Sequence, residues 1–194
     1  AQRADGYSAV VVRLPLGDLT SDQFRGLARL CATFGDSTVR TTNDQNVVLP
    51  WVADALLPNV HAGLVALGLG LPNARTLHDV TSCPGADSCN LAYTGSRDLG
   101  RELVQVLDRE SRRSAVTAAL GGDIKVSGCP NSCGQHHVAA IGFHGGIRRV
   151  GERVLPLYEL HLGGKIDAEG ARFGRRLGKV PARLAGQALI ALVD

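Results

Sequence analysis

Residues 127–145 read SGCPNSCGQHHVAAIGFHG, and an upstream stretch, residues 81–96, reads TSCPGADSCNLAYTGS. Together they hold four of the five cysteines: Cys83 and Cys89 in the upstream stretch, Cys129 and Cys133 in the other. The spacing is C-x5-C, then thirty-nine residues, then C-x3-C. Each pair is local, so only the fold can bring the two pairs together. Four thiolates on two loops can enclose a tetrahedral metal or an iron–sulfur cube. Zinc ribbons favour tighter C-x2-C knuckles, so the longer spacers suit the larger cube. A four-cysteine zinc site that only staples the fold stays open as the alternative.

A proline follows both Cys83 and Cys129. A Cys-Pro step suits a cysteine at an N-cap and a proline at the first position of a helical turn, where its missing N–H is not needed. The N–H groups that follow are expected to point at the sulfurs and stabilise thiolate charge. Cys129 and Cys133, four apart, are expected on one side of a helical turn. Gly85, Gly128 and Gly134 are expected to let the backbone approach a bulky cofactor.

Outward from these loops, 194 residues with 44% hydrophobic and 20% charged residues describe a globular chain with a real core. The net charge of +3 is too mild to argue for nucleic acid. No apolar stretch is long enough for a membrane span, and the first residues lack a signal-peptide pattern. A reducing, cytoplasmic setting is therefore expected, where paired cysteines bind metal or do redox work more often than they form disulfides. The chain contains no methionine, and it is expected to be a fragment of something longer.

Residues 1–75 read β-α-β-β-α. YSAVVV is a strand ended by Pro15 and Gly17. Residues 19–35 form an amphipathic helix with Thr20 and Gln23 spaced as a capping box. Phe24, Leu27, Ala28, Leu30, Cys31 and Phe34 recur along its apolar face, so Cys31 reads as a core residue. Residues 37–52 suggest two short strands around the turn TNDQN, and a helix is expected over residues 53–67. In residues 76–194 the cysteine loops are interleaved with a helix over 96–110, strands at DIKVSG, HVAAIGFHGG and VLPLYELHLGG, and a last helix over 182–193. The fold class is α+β throughout: a compact half-domain, residues 1–75, followed by a second α+β domain, residues 76–194, that carries the cysteines.

The two cysteine stretches together resemble the nitrite and sulfite reductases that carry sirohaem and a 4Fe–4S cluster. Residues 14–52 resemble that family's ferredoxin-like half-domain, with its R-x-T-x-x-Q-N strand-turn at residues 40–46. LYELHLGG and GKVPAR, farther on, also resemble its C-terminal segment, so the resemblance covers nearly the whole chain. It implies that Cys83, Cys89, Cys129 and Cys133 hold a 4Fe–4S cluster and that Cys133 also ligates the sirohaem iron. Asn131 would lie against the macrocycle. The activity implied is six-electron reduction of nitrite to ammonia or of sulfite to sulfide, with ferredoxin or a flavoprotein as electron donor. Family enzymes usually contain two copies of this two-part unit. This chain holds one, resembling the second, so it is expected to be a C-terminal fragment with the first repeat as a missing partner; the alternative is a small single-copy reductase, which relatives of the family also include. A biosynthetic oxygenase on a corrinoid precursor is a further possibility within the family. Outside it stand a non-catalytic 4Fe–4S electron-transfer module and a zinc-stabilised binding domain. Ala140 departs from the family, which often carries an acidic residue there.

Arg40, beside the TTNDQN turn, and Lys125, beside the second loop, are candidates to pair with sirohaem carboxylates; solvated charge is the plainer reading. His136 and His137 could donate protons near the haem, although such a pair is more often a surface or supporting feature. Residues 148–183 hold nine Arg or Lys against four Asp or Glu. That bias suits an acidic electron donor, cofactor carboxylates or an ordinary solvated face.

Overall fold

Strand β1, Tyr7–Val12, runs antiparallel to β3, Val47–Ala53, and β3 runs antiparallel to β2, Arg40–Thr41. These strands form a three-stranded sheet in the order β1-β3-β2. The structure is a computed structural model that describes residues 3–109 and 122–193. The chain divides into two units, residues 1–74 and 75–194.

In the first unit, helix α1, Ser21–Phe34, starts at the expected capping box. The Thr20 hydroxyl accepts from the Gln23 N–H, and the Gln23 side chain accepts from the Thr20 N–H. The face it buries is narrower than its apolar spacing suggests. Leu27 and Cys31 join a core with Val12, Leu14, Val47, Leu49, Val52, Val60 and Leu64, but Phe24 is 65% exposed. Gly26 is buried in its place, because a Cβ there would collide with the Leu67 side chain. The second helix starts later than expected. Ala53 still belongs to β3, and a single 3-10 turn at Asp54–Leu56 precedes α2, Leu57–Ala66.

The TNDQN turn closes the β2–β3 hairpin and also holds β1. Asn46 is buried; its side-chain oxygen accepts the Leu14 N–H at 2.8 Å, while its own N–H donates to the Thr42 hydroxyl at 3.1 Å. The asparagine thus satisfies a buried backbone donor where β1 ends. Asn46→Ala is expected to leave that donor unpaired and to cost about 1–3 kcal/mol, read as a shifted urea midpoint with an unchanged m-value.

The second unit is built on a five-stranded sheet in the order β10-β7-β6-β5-β4. Its strands are β4 (Thr81–Ser82), β5 (Ile124–Ser127), β6 (Ile141–Val150), β7 (Arg153–Leu162) and β10 (Arg175–Pro181). β4, β5 and β6 are parallel neighbours, whereas β6–β7 and β7–β10 are antiparallel. A small hairpin, β8 (Lys165–Asp167) with β9 (Gly170–Arg172), lies between β7 and β10 in sequence. Helix α3, Ser96–Arg109, buries Leu99, Leu103 and Leu107 at helical spacing; the expected residue 110 lies outside the described residues. The last helix begins later than expected. Pro181 still pairs with Leu157, and a 3-10 turn at Ala182–Leu184 precedes α4, Ala185–Val193. α3 and α4 approach closely at Gly186, where a Cβ would meet Glu102 and Val106.

Two strand readings also change. β6 begins at Ile141, because His136–Val138 form a 3-10 turn. β7 alternates as expected, but Leu157 to His161 are all buried, so both faces of its second half are covered. Among the described residues no helix is long and apolar enough to cross a membrane.

Candidate metal centre

The two cysteine loops leave the C-terminal ends of adjacent parallel strands. Thr81 pairs with Lys125 and Ser82 with Val126, so Cys83 and Gly128-Cys129 emerge side by side. The C-terminal edge of parallel strands is where open α/β sheets place ligands, because successive loops converge there. The register thus brings together what thirty-nine residues separate in sequence.

The loops then lock through their backbones. The Cys83 N–H donates to Val126 O at 3.1 Å. Gly128 O accepts from the Tyr93 N–H at 2.8 Å and the Thr94 N–H at 3.2 Å. The Gly128 N–H donates to the Cys83 sulfur at 3.1 Å. The Ser96 hydroxyl donates to Cys83 O at 2.8 Å and lies 3.3 Å from the Cys83 sulfur. A backbone N–H aimed at sulfur stabilises a thiolate, and here it comes from the opposite loop rather than from the turn after the Cys-Pro step. That turn exists, with Pro84 in helical geometry before Gly85–Asp87. Its Ala86, Ser88 and Cys89 N–H groups, however, donate to Thr94 O, Gly85 O and Gly85 O.

The second loop departs from the expected helical turn. Ser132 and Gln135 both adopt left-handed geometry, at φ 61° and 62°, which breaks any regular turn from Cys129 to Cys133. The loop is held instead by the Gln135 N–H on Ser132 O and the Gly134 N–H on Ser127 Oγ. The three loop glycines also serve another purpose than expected. A Cβ on Gly85 would strike Ser96, one on Gly134 would strike the Val126 carbonyl, and one on Gly128 would lie 2.9 Å from Gly85 Cα. The room they leave is filled by protein.

All five cysteines are free thiols. Cys83 and Cys129 are buried, Cys89 is half-buried and Cys133 is exposed. In the upstream loop Leu91 and Tyr93 are large and exposed. Cys31 is apart from the others in role: it is buried in the first unit's core, and its thiol donates to Thr38 O at 3.0 Å. Burial, with help from Asp36, raises its pKa.

The remaining candidates are placed as follows. Asn131 is exposed in the second loop. Lys125 is buried, with its ammonium 3.0 Å from the Gln135 side-chain oxygen and 3.6 Å from Asp123. Arg40 is exposed on β2 in the first unit. The basic stretch is partly used up locally: Arg176 and Lys179 pair with Glu159, and Lys165 pairs with Asp167 and Glu169.

His136 is not a surface residue. It is fully buried, and its ring stacks 4.0 Å from that of His137. Sequence reading stopped at this pair and missed His144 on β6 and His161 on β7, whose rings lie 4.7 and 5.2 Å from His136. The available signal was the pairing of FHGG with ELHL across the β6–β7 hairpin, where Gly142 faces His161 and His144 faces Glu159. Burial, followed by the neighbouring imidazoles, pushes the His136 pKa down to about 3, and the same causes lower that of His161.

Comparison with known proteins agrees on one family. Residues 1–67 match the nitrite/sulfite reductase ferredoxin-like half domain. The chain is 32% identical over 167 residues to the ferredoxin–nitrite reductase of Synechococcus elongatus, covering 85% of this chain and 31% of that protein. It is 31% identical over 174 residues to a sulfite reductase [ferredoxin] of Mycobacterium tuberculosis, covering 89% and 31%. The solved structure of the Mycobacterium tuberculosis NirA protein superposes with a TM-score of 0.80 at 30% identity, covering 95% of this chain and 34% of that one. A dissimilatory sulfite reductase I shares the fold alone, with a TM-score of 0.68 at 12% identity over 89% of this chain and 57% of that one. The chain spans about a third of the length of the curated relatives it matches. The backbone N–H of Ala140 donates to the Asp123 carboxylate at 2.7 Å; nothing in the structure explains the alanine itself.

Proposed function

The chain belongs to the nitrite/sulfite reductase family, and from that premise we propose that it is the cluster- and sirohaem-holding portion of a nitrite or sulfite reductase. The reaction is reduction of the anion by six electrons, nitrite to ammonia or sulfite to sulfide. The observation that carries this reading is the convergence of two cysteine loops at neighbouring parallel strand ends, with the Gly128 N–H on the Cys83 sulfur.

Cys83, Cys89, Cys129 and Cys133 are the proposed ligands of a 4Fe–4S cluster. Cys133 would also hold the sirohaem iron, and its exposure supports that double role, since a sulfur shared by two groups must be reachable from outside the loop pair. When bound, the two groups supply the electron storage and the substrate-binding iron. The chain's own contribution is to hold and orient them. The Gly128 N–H stabilises negative charge on sulfur, because an N–H to an ionised acceptor is among the stronger hydrogen bonds. The locked loops keep the cysteines at two neighbouring strand ends. Asn131, two residues before Cys133, is proposed to lie against the macrocycle. Lys125 suits the carboxylate-pairing role poorly, because its ammonium is held by Gln135 and Asp123. The anion substrate, a ferredoxin or flavoprotein donor, and a first repeat that completes the anion pocket follow from the same reading.

Anaerobic reconstitution with iron and sulfide tests the cluster assignment. About four iron and four sulfide per chain are expected, with Cys83→Ser or Cys129→Ser losing most of both. Uptake of iron that ignores these substitutions would remove the basis of the proposal.

A further inference from the structure

We propose that His136, His144 and His161 form a second metal site, one that takes a divalent transition ion of the zinc class through three imidazole nitrogens. One nitrogen from each ring falls within 4.8 Å of the others. The three come from separate elements: the 3-10 turn at His136–Val138, β6 and β7. The β6–β7 register and the return of the second cysteine loop bring them together.

Three observations point to a ligand rather than to ordinary packing. First, His136 is 0% and His161 7% exposed, yet His136 Nε2 and both ring nitrogens of His161 have no hydrogen-bond partner among the described residues. Leaving a buried polar atom unpaired is costly, and three such atoms converge here. Second, in two of the three rings the other nitrogen is set as a metal-bound imidazole requires. His136 Nδ1 lies 2.9 Å from Ser127 Oγ and His144 Nδ1 lies 3.3 Å from Gly145 O. Donation from Nδ1 leaves the Nε2 lone pair for a metal and fixes the ring, the usual outer support of a histidine ligand. Third, Glu159 supplies negative charge beside the site, with its carboxylate 3.7 Å from His144 Nε2 and 4.0 Å from His161 Nε2. Arg176, at 2.6 Å, and Lys179, at 3.7 Å, hold that carboxylate from the solvent side.

The ion class follows from the donors. Neutral imidazole suits zinc, copper, nickel and iron, and a three-histidine set leaves a fourth position open. With Zn–N near about 2.0 Å the nitrogens must draw in by about 1 Å, within reach of ring rotation.

The test uses the full chain with Co2+ as a spectroscopic probe and Zn2+ as competitor. One equivalent of Co2+ is expected to bind with ligand-field bands and no thiolate charge-transfer band, which separates it from any ion on the cysteines. His144→Gln with His161→Gln removes two of the three donors and is expected to abolish this binding, leaving the cysteine-bound chromophore intact. Should that variant fail to fold, ring nitrogen NMR of the unaltered chain decides: Zn2+ is expected to shift three of the six histidines. The proposal is overturned if every bound Co2+ shows thiolate charge transfer, if the double substitution leaves affinity unchanged, or if no imidazole signal moves.

Discussion

Gly128→Ala is expected to destabilise the second unit by about 3 kcal/mol and to lower its melting temperature by on the order of 10 °C. The added Cβ would lie 2.9 Å from Gly85 Cα and from Thr94 O, and 3.0 Å from Ala92 Cβ. Two of those three neighbours are backbone atoms, so no rotamer change relieves the contact. The two loops must separate, which strains the bonds that Gly128 O accepts from Tyr93 and Thr94 and the one its N–H gives to the Cys83 sulfur. A loss of this size is a large fraction of the stability of a domain. Gly178→Ala on β10 is the control, since a Cβ there meets nothing within 4 Å, and its effect is expected to stay within about 0.5 kcal/mol. Thermal unfolding of the two variants compares them directly. Equal melting temperatures would mean that the loops are not locked as described.

Cys133→Ser is expected to abolish haem retention and to destroy the cluster as well. Serine keeps the shape of the side chain but not an acidic thiol, and thiolate is the form that ligates iron. Cys83→Ser is expected to remove the cluster first, with the haem lost as a consequence, because that sulfur is buried beneath Gly128 and Ser96. Cys31→Ser is the control: its thiol donates within the first unit's core, and both chromophores should survive it. Visible spectra of the three variants, purified anaerobically under one protocol, give the comparison. Haem bands that persist unchanged in Cys133→Ser would remove the bridging role from that residue.

Local chemistry was legible in the sequence where neighbours decide it. The Thr20–Gln23 capping box, the β2–β3 hairpin and the interior position of Cys31 depend on residues a few places apart, and each stands as expected. The α+β class was legible for the same reason. What escaped was set by distant contacts. The left-handed Ser132 and Gln135 cannot be read from CPNSCGQ, because the loop is bent by Ser127 and Val126 pressing on Gly134. Gly85, Gly128 and Gly134 are sites of close approach, but the approaching group is protein: Ser96 at Gly85, the other cysteine loop at Gly128 and the Val126 carbonyl at Gly134. The histidine cluster depends on the β6–β7 register, and a period-two pattern shows which side a residue faces without showing what stands across from it.

The claim at the centre of this account is a four-cysteine cluster bridged to a haem through Cys133. Its most direct test is the anaerobic visible spectrum of the chain purified from a host that makes sirohaem, taken with metal analysis. The account expects a Soret band, a red-region haem band and the broad shoulder of the cluster, with about four non-haem irons per chain. A colourless protein carrying stoichiometric zinc on the cysteines would contradict it.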